Sequence, residues 1–334
     1  MDCCENLRRA VEFRCPEWVP ILFGSKGVND SHWVGFAQPS GWKPAVPNED
    51  EWGCIWEKPP EGSNVVNMGQ PRGHPLKSWD LFDQMKWPDP DAPGRFDNLA
   101  EQLSKAGDKY VVAGCGFTLF ERMHYMRGMA ELMVDMYECP DRVHELADRI
   151  LDIQIGFIRN YAKYGRGRIH AVAMTDDWGT QNTHFISIPM FRKFFKERYR
   201  RLFRAIHDGG MHAWMHSCGH VNEIIQEWID VGLDIVNLQQ PRNLGIEEIG
   251  RRYAGKICFV TTVDIQATLP WKTPAEVRAE AKLLLECWGT PQGGFIVGEY
   301  GDPRAIGATE ENGQAMFEAF MELGRHPAWK KPSA

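Results

Sequence analysis

From Lys109 onward the chain alternates short apolar runs with longer stretches whose apolar positions recur at helical spacing. The short runs over 109–114, 169–174, 211–216, 233–238, 257–262 and 293–298 predict buried strands. Between them the pattern predicts helices over 120–137, 141–164, 189–208, through residue 230, over 246–253 and over 274–288, with a last one over 311–324. Thr273 followed by Glu276 is a capping box for the helix that starts at Pro274. Methionines at 123, 126, 129, 133 and 136 form a stripe expected to face the core. Upstream, a short helix is expected before Pro16, a first strand over 18–24 and a helix over 96–106. Residues 25–95 are irregular, with a hairpin predicted between 50–57 and 64–68.

Strand–helix alternation implies βα units around a parallel sheet. The polar clusters all fall just after strands: Asp176-Asp177, His216/Cys218, Gln239-Gln240, Asp264/Gln266 and Glu299/Asp302. A barrel gathers every such strand end around one mouth, whereas a doubly wound sheet exposes only two at its switch point. No Gly-x-Gly-x-x-Gly follows any strand, so no dinucleotide fingerprint favours the second arrangement. The expected fold is an α/β (β/α)8 TIM barrel. Its main body spans 96–334, and residues 1–95 form an irregular, Trp-rich N-terminal extension packed on it and covering substrate, within one domain.

Composition narrows the function classes. A 334-residue chain with 43% hydrophobic and 25% charged residues suits an ordinary globular enzyme. A net charge of −7 without a basic tract argues against nucleic acid. No apolar run reaches membrane-spanning length, and the N-terminus lacks a signal-peptide layout, so the cytoplasm is the expected compartment. Nine scattered cysteines do not form a secreted disulfide framework. The 13 tryptophans fill core or line an aromatic pocket.

The candidate chemistry centres on Met211-His-Ala-Trp-Met-His216-Ser-Cys218-Gly219. Residues two apart on a strand share a face, so His216 and Cys218 project together at the strand end, as a soft pair suited to zinc. His212 lies on the same face and is a candidate outer partner. Asp176 and Asp177 are candidate acid/base or hydrogen-bonding groups. Gln181, Asn237 and Gln240 suit substrate orientation, and Trp33 and Trp178 suit an aromatic substrate wall. Cys115 is an alternative thiolate.

Four ordered motifs, Met174-Thr-Asp-Asp-Trp-Gly-Thr-Gln181, His216-Ser-Cys-Gly219, Val263-Asp-Ile-Gln266 and Gly293-Gly294-Phe295-Ile296, resemble those of the uroporphyrinogen decarboxylase superfamily. They look most like its corrinoid-linked methyltransferase branch. The resemblance implies a (β/α)8 barrel with its site at the C-terminal mouth. The true decarboxylases follow an Arg-x-Pro-x-Trp start with arginines that cradle the substrate's carboxylates. Here Arg14-Cys-Pro16-Glu-Trp18 matches that start, but Val19-Pro-Ile-Leu-Phe-Gly follows it. The methyltransferase branch holds zinc with His-x-Cys, matched by His216 and Cys218, and with a later cysteine after the Gly-Gly strand. Gly301 matches that third position best, so the resemblance leaves Glu299 as the nearest ligand, with Asp302 and Cys115 as alternatives. It implies methyl transfer between a small donor, preferably a methoxylated aromatic undergoing O-demethylation, and cobalamin carried by a partner corrinoid protein. Rival readings are a methylcobalamin-to-thiol or folate methyltransferase, a decarboxylase-like lyase, and an idle tetrapyrrole- or corrinoid-binding barrel. A homodimer is compatible with all of them.

Overall fold

The computed structural model describes residues 1–57 and 70–328. The described residues hold eleven strands: β1 (Ile21–Phe23), β2 (Val28–Asn29), β3 (Ser31–Gly35), β4 (Ile55–Glu57), β5 (Gln70–Gly73), β6 (Tyr110–Phe117), β7 (Ala171–Thr175), β8 (His212–His216), β9 (Ile235–Leu238), β10 (Cys258–Thr261) and β11 (Phe295–Gly298). Nine of them form one sheet in the order β2-β1-β11-β10-β9-β8-β7-β6-β3. Apart from β2, which is antiparallel to β1, every pairing in that sheet is parallel. Eight parallel strands with helices outside make a nearly closed TIM barrel, as expected. Asp30 bridges the seam: its N–H donates to the Ile21 carbonyl at 2.8 Å, and its carbonyl accepts from Tyr110 N–H at 3.0 Å.

The two-residue period sorts the strand residues into two cores. Val112, Ala171, Ala173, Trp214, Ile235, Val260 and Ile296 point into the barrel. Leu7 and Val11, on the helix Cys3–Val11, join them from below. The alternate positions, among them Val172, Met215, Val236, Phe259 and Val297, pack outward against the helices. Met123, Met126 and Met136 are buried there, as the stripe predicts.

Several predicted boundaries move. Residues 1–95, read from the sequence as an extension packed on the barrel, contribute two of its strands, β1 and β3. β1 falls inside the strand expected over 18–24, whereas β3, five residues long, carries too little periodicity to register within the irregular stretch 25–95. The hairpin pairs β4 with β5, so its return strand is at 70–73; the predicted return at 64–68 lies outside the described residues. The single helix predicted over 120–137 is two, Phe120–Arg127 and Met129–Glu138, broken where Gly128 takes φ 100°. A π-helical segment, Arg192–Lys196, interrupts the one over 189–208. Among the described residues no helix is long and apolar enough to cross a membrane.

Candidate metal and substrate site

A cavity of about 640 Å³ opens at the C-terminal mouth of the barrel. All eight parallel strands or the residues just after them reach it, through Leu22, Trp33, Phe117, Thr175, His216, Asn237, Val260 and Gly298 among others. The parallel register explains why the polar members adjoin. Thr175 pairs with His216, His216 with Asn237, and Asn237 with Val260. One layer of the barrel therefore presents these four inward-facing positions side by side.

Asn237 fixes the imidazole. Its Nδ2 donates to the Val260 carbonyl at 2.9 Å, which turns its Oδ1 toward His216 Nδ1 at 2.7 Å. His216 must then carry its proton on Nδ1, leaving the Nε2 lone pair free. Nε2 lies 3.3 Å from Cys218 Sγ and 3.8 Å from Asp177 Oδ1. Asp177, His216 and Cys218 each offer a ligand atom, and these atoms all lie within 4.8 Å of one another. Burial and the neighbouring Asp177 push the Cys218 thiol well above its ordinary value. A bound cation would supply the charge that favours the Cys218 thiolate beside Asp177. A carboxylate, a neutral imidazole and a thiol make a donor set that fits zinc.

Two glycines bring Asp177 to this pair. The loops after β7 and β8 touch backbone to backbone, where a Cβ on Gly179 would stand 2.4 Å from His220 N and 2.5 Å from Gly219 C. Gly219, at φ 79°, faces the Gly179 carbonyl equally closely. Gly179 N–H donates to Cys218 O, His220 N–H to Thr180 O, and Trp178 N–H to Ser217 Oγ. Cys218 N–H donates to Asp177 Oδ1 at 2.8 Å. The Asp-Asp-Trp-Gly and His-Ser-Cys-Gly stretches thus work as one zipped unit.

The other predicted site residues divide. Trp33 lines the cavity at 49% exposure, its ring edge-on to Trp214 at 5.6 Å. Asn237 lines it too, holding His216. Glu299 is a cavity-lining residue outside the ligand cluster, because Ser25 engages its carboxylate through both N–H and Oγ. Asp302 caps the turn at Arg304, and Cys115 is buried against Gln154 with its thiol pushed up to about 12 by burial; neither joins the cluster.

Asp176 faces the scaffold, not the cavity. It is wholly buried and accepts from the N–H groups of Leu119, Phe120 and Glu121 at 2.7–3.1 Å, and from the Tyr199 hydroxyl. It caps the helix Phe120–Arg127, and burial raises its carboxyl to about 6. Trp178 is 0% exposed, stacked on Phe120 and donating to Tyr199, so it is core. Gln181 is exposed and does not line the cavity. Gln240 supports the loop instead, accepting from Gly219 N–H at 2.6 Å, while Gln239 lines the cavity. Continuing the inward positions 235 and 237 of β9 to 239 would have selected Gln239. His212 sits four residues below His216 on β8, against Tyr110 and Glu12 at the opposite end of the barrel.

Glu121 carries no motif and escaped the sequence reading. It lines the cavity at only 3% exposure and accepts from Tyr125 OH at 2.9 Å and Thr175 Oγ1 at 3.0 Å. Burial, then Asp177 and Asp176, raise its carboxyl to about 8. Phe117, next to it, stacks under Trp56 of β4 at 5.8 Å, which ties the Trp-rich hairpin to the cavity wall.

A family model described as uroporphyrinogen decarboxylase (URO-D) matches residues 67–323, more than three quarters of the chain. The chain belongs to the uroporphyrinogen decarboxylase family. Among solved structures it is similar to a methyltransferase from Methanosarcina mazei, with TM-score 0.68 at 16% identity, over 97% of this chain and 99% of that one. A weaker likeness is to xylanase 10B from Thermotoga maritima, TM-score 0.46 at 10% identity, over 97% of this chain and 99% of that one. The comparison with curated proteins finds no match.

Proposed function

We propose that this protein is a methyltransferase that moves a methyl group between a small donor and the cobalt of a partner corrinoid protein, with zinc held by Asp177, His216 and Cys218. The observation that carries the reading is this donor set, two of whose members, Asp177 and His216, line a cavity reached by all eight barrel strands. The fold shared with a methyltransferase from Methanosarcina mazei is compatible with it. Zinc bound there would act as a Lewis acid toward the oxygen or sulfur that carries or receives the methyl group.

The chain's own residues have separable roles. Asn237 orients His216, and the Gly179–Gly219 contact sets Asp177 beside Cys218. Phe117, Trp33 and Trp214 supply apolar wall for a flat donor. Glu121 holds a proton near neutral pH and can donate it as a hydrogen bond to a substrate oxygen. These features favour a methoxylated aromatic and O-demethylation. Among the described residues no lysine or arginine lines the cavity, and without cations a substrate with many carboxylates has nothing to neutralise it. That favours methyl transfer over decarboxylation of a porphyrinogen. We assign the corrinoid to a partner protein, as the resemblance to the corrinoid-linked methyltransferases implies.

Metal analysis of the purified chain and of Cys218→Ala and Asp177→Ala tests the site. One zinc per chain, lost in both variants, is expected; no metal in any sample refutes the mechanism. Incubation with Co(I) cobalamin and methoxylated aromatics should then yield methylcobalamin and the free phenol. Reaction only between methylcobalamin and a thiol or folate would reverse the assigned direction, and coproporphyrinogen formation would establish the lyase.

A further inference from the structure

Among the described residues that line the cavity, Glu299 is the one carboxylate that neither joins the ligand cluster nor is deeply buried like Glu121. It follows β11 at the barrel mouth, and Ser25, in the turn after β1, clasps it through N–H at 2.9 Å and through Oγ. That clasp fixes the carboxylate without neutralising it. Among the described residues no cationic side chain pairs with it within 4.0 Å. Lys26 and Arg304 line an adjoining cavity of about 350 Å³ that Glu299 also borders, where Arg304 is paired with Asp302. On the main-cavity side a Cβ at Gly24 would stand 3.6 Å from both Glu299 Oε1 and Asn29 Nδ2, so glycine leaves the approach to the carboxylate open. Trp33, Trp214, Gln239 and Asn29 also line the cavity, and none brings a positive charge.

We infer that Glu299 is a specificity-determining residue that receives a hydrogen-bond-donating, non-anionic group of the substrate, a hydroxyl or an ammonium, and rejects carboxylates. The inference rests on reading the cavity as the methyl donor's site. Coulomb repulsion in a partly desolvated pocket disfavours an anion there, while a charge-assisted hydrogen bond favours a donor. An aromatic body against Trp33 and Trp214 would carry its methyl-bearing atom toward the ligand cluster and its polar group toward Glu299.

The test is calorimetric binding to the zinc-loaded full chain, without corrinoid, of three probes sharing one frame: 4-methoxybenzylamine, 4-methoxybenzyl alcohol and 4-methoxybenzoate. The amine and the alcohol should each bind about tenfold or more tightly than the benzoate. Glu299→Gln should cut the amine-over-benzoate ratio about tenfold with zinc content unchanged. Equal or tighter benzoate binding in the wild-type chain overturns the inference, whether or not the variant folds. So does an unchanged ratio in Glu299→Gln, or loss of zinc from it, which would make Glu299 a ligand. Because no methyl transfer is read, a failure here is distinguishable from a failure of the proposed reaction.

Discussion

Removal of the Asn237 side chain gives the most direct test of how the site is built. Asn237→Ala deletes the acceptor for His216 Nδ1–H and the donor to the Val260 carbonyl, two bonds of 2.7 and 2.9 Å in a half-buried layer. Each neutral hydrogen bond contributes roughly 1 kcal/mol to stability, so the metal-free variant should unfold about 1–2 kcal/mol more easily. The larger signature is in the metal. An imidazole released from its partner can place its proton on either nitrogen and rotate, and outer partners of metal-bound histidines are typically worth about 10–100-fold in affinity. That range is about 1.4–2.7 kcal/mol. Competition for zinc against a chromophoric chelator at fixed pH, alongside denaturant unfolding of the metal-free protein, separates the two effects. A merely structural Asn237 would lower stability and leave the zinc affinity of the folded fraction intact. Zinc binding within twofold of wild type would refute the assigned role.

The loop contact makes a second strong demand. Gly179→Ala would force two backbones apart, and overpacking of this kind typically costs about 1–3 kcal/mol; thermal melts should show that loss and metal analysis a depleted site. Trp178→Ala should cost about 3–5 kcal/mol by emptying an aromatic cluster, whereas Trp33→Ala should leave the melt nearly unchanged and weaken binding of methoxylated aromatics in calorimetry. The raised carboxyl of Glu121 binds its proton more tightly folded than unfolded, so its contribution is fully present below about 4.5 and is lost as pH rises through about 8. In the metal-free protein, Glu121→Gln should therefore flatten the fall in stability across that window, and identical pH profiles for both proteins would contradict the burial argument.

Much of the architecture was legible because it follows from periodicity. Apolar runs of strand length separated by amphipathic stretches can bury both faces of a parallel sheet only with helices outside, and polar pairs after several strands imply one mouth. His216 and Cys218 were legible for the same reason, since a strand's two-residue repeat fixes their common side. The short strand β3 was less so, because five residues carry too little pattern to stand out among turns.

What the linear chain could not supply was which neighbour strand completes the site. Glu299 follows its strand as Asp177 follows β7, and nothing in the spacing ranks one over the other as ligand. The ranking comes from a backbone contact between Gly179 and Gly219 and from Ser25 holding Glu299, both made by residues far apart in sequence. Asp176 and Asp177 are adjacent letters with opposite fates, for one turns to three helix N–H groups and the other to the cavity. The sequence by itself determined a barrel and two donors at its mouth, because strand period and side-chain chemistry are local properties. Only the tertiary structure brought Asp177 beside them and buried the acid Glu121, because both depend on which loops meet and which carboxyls are left without a cation.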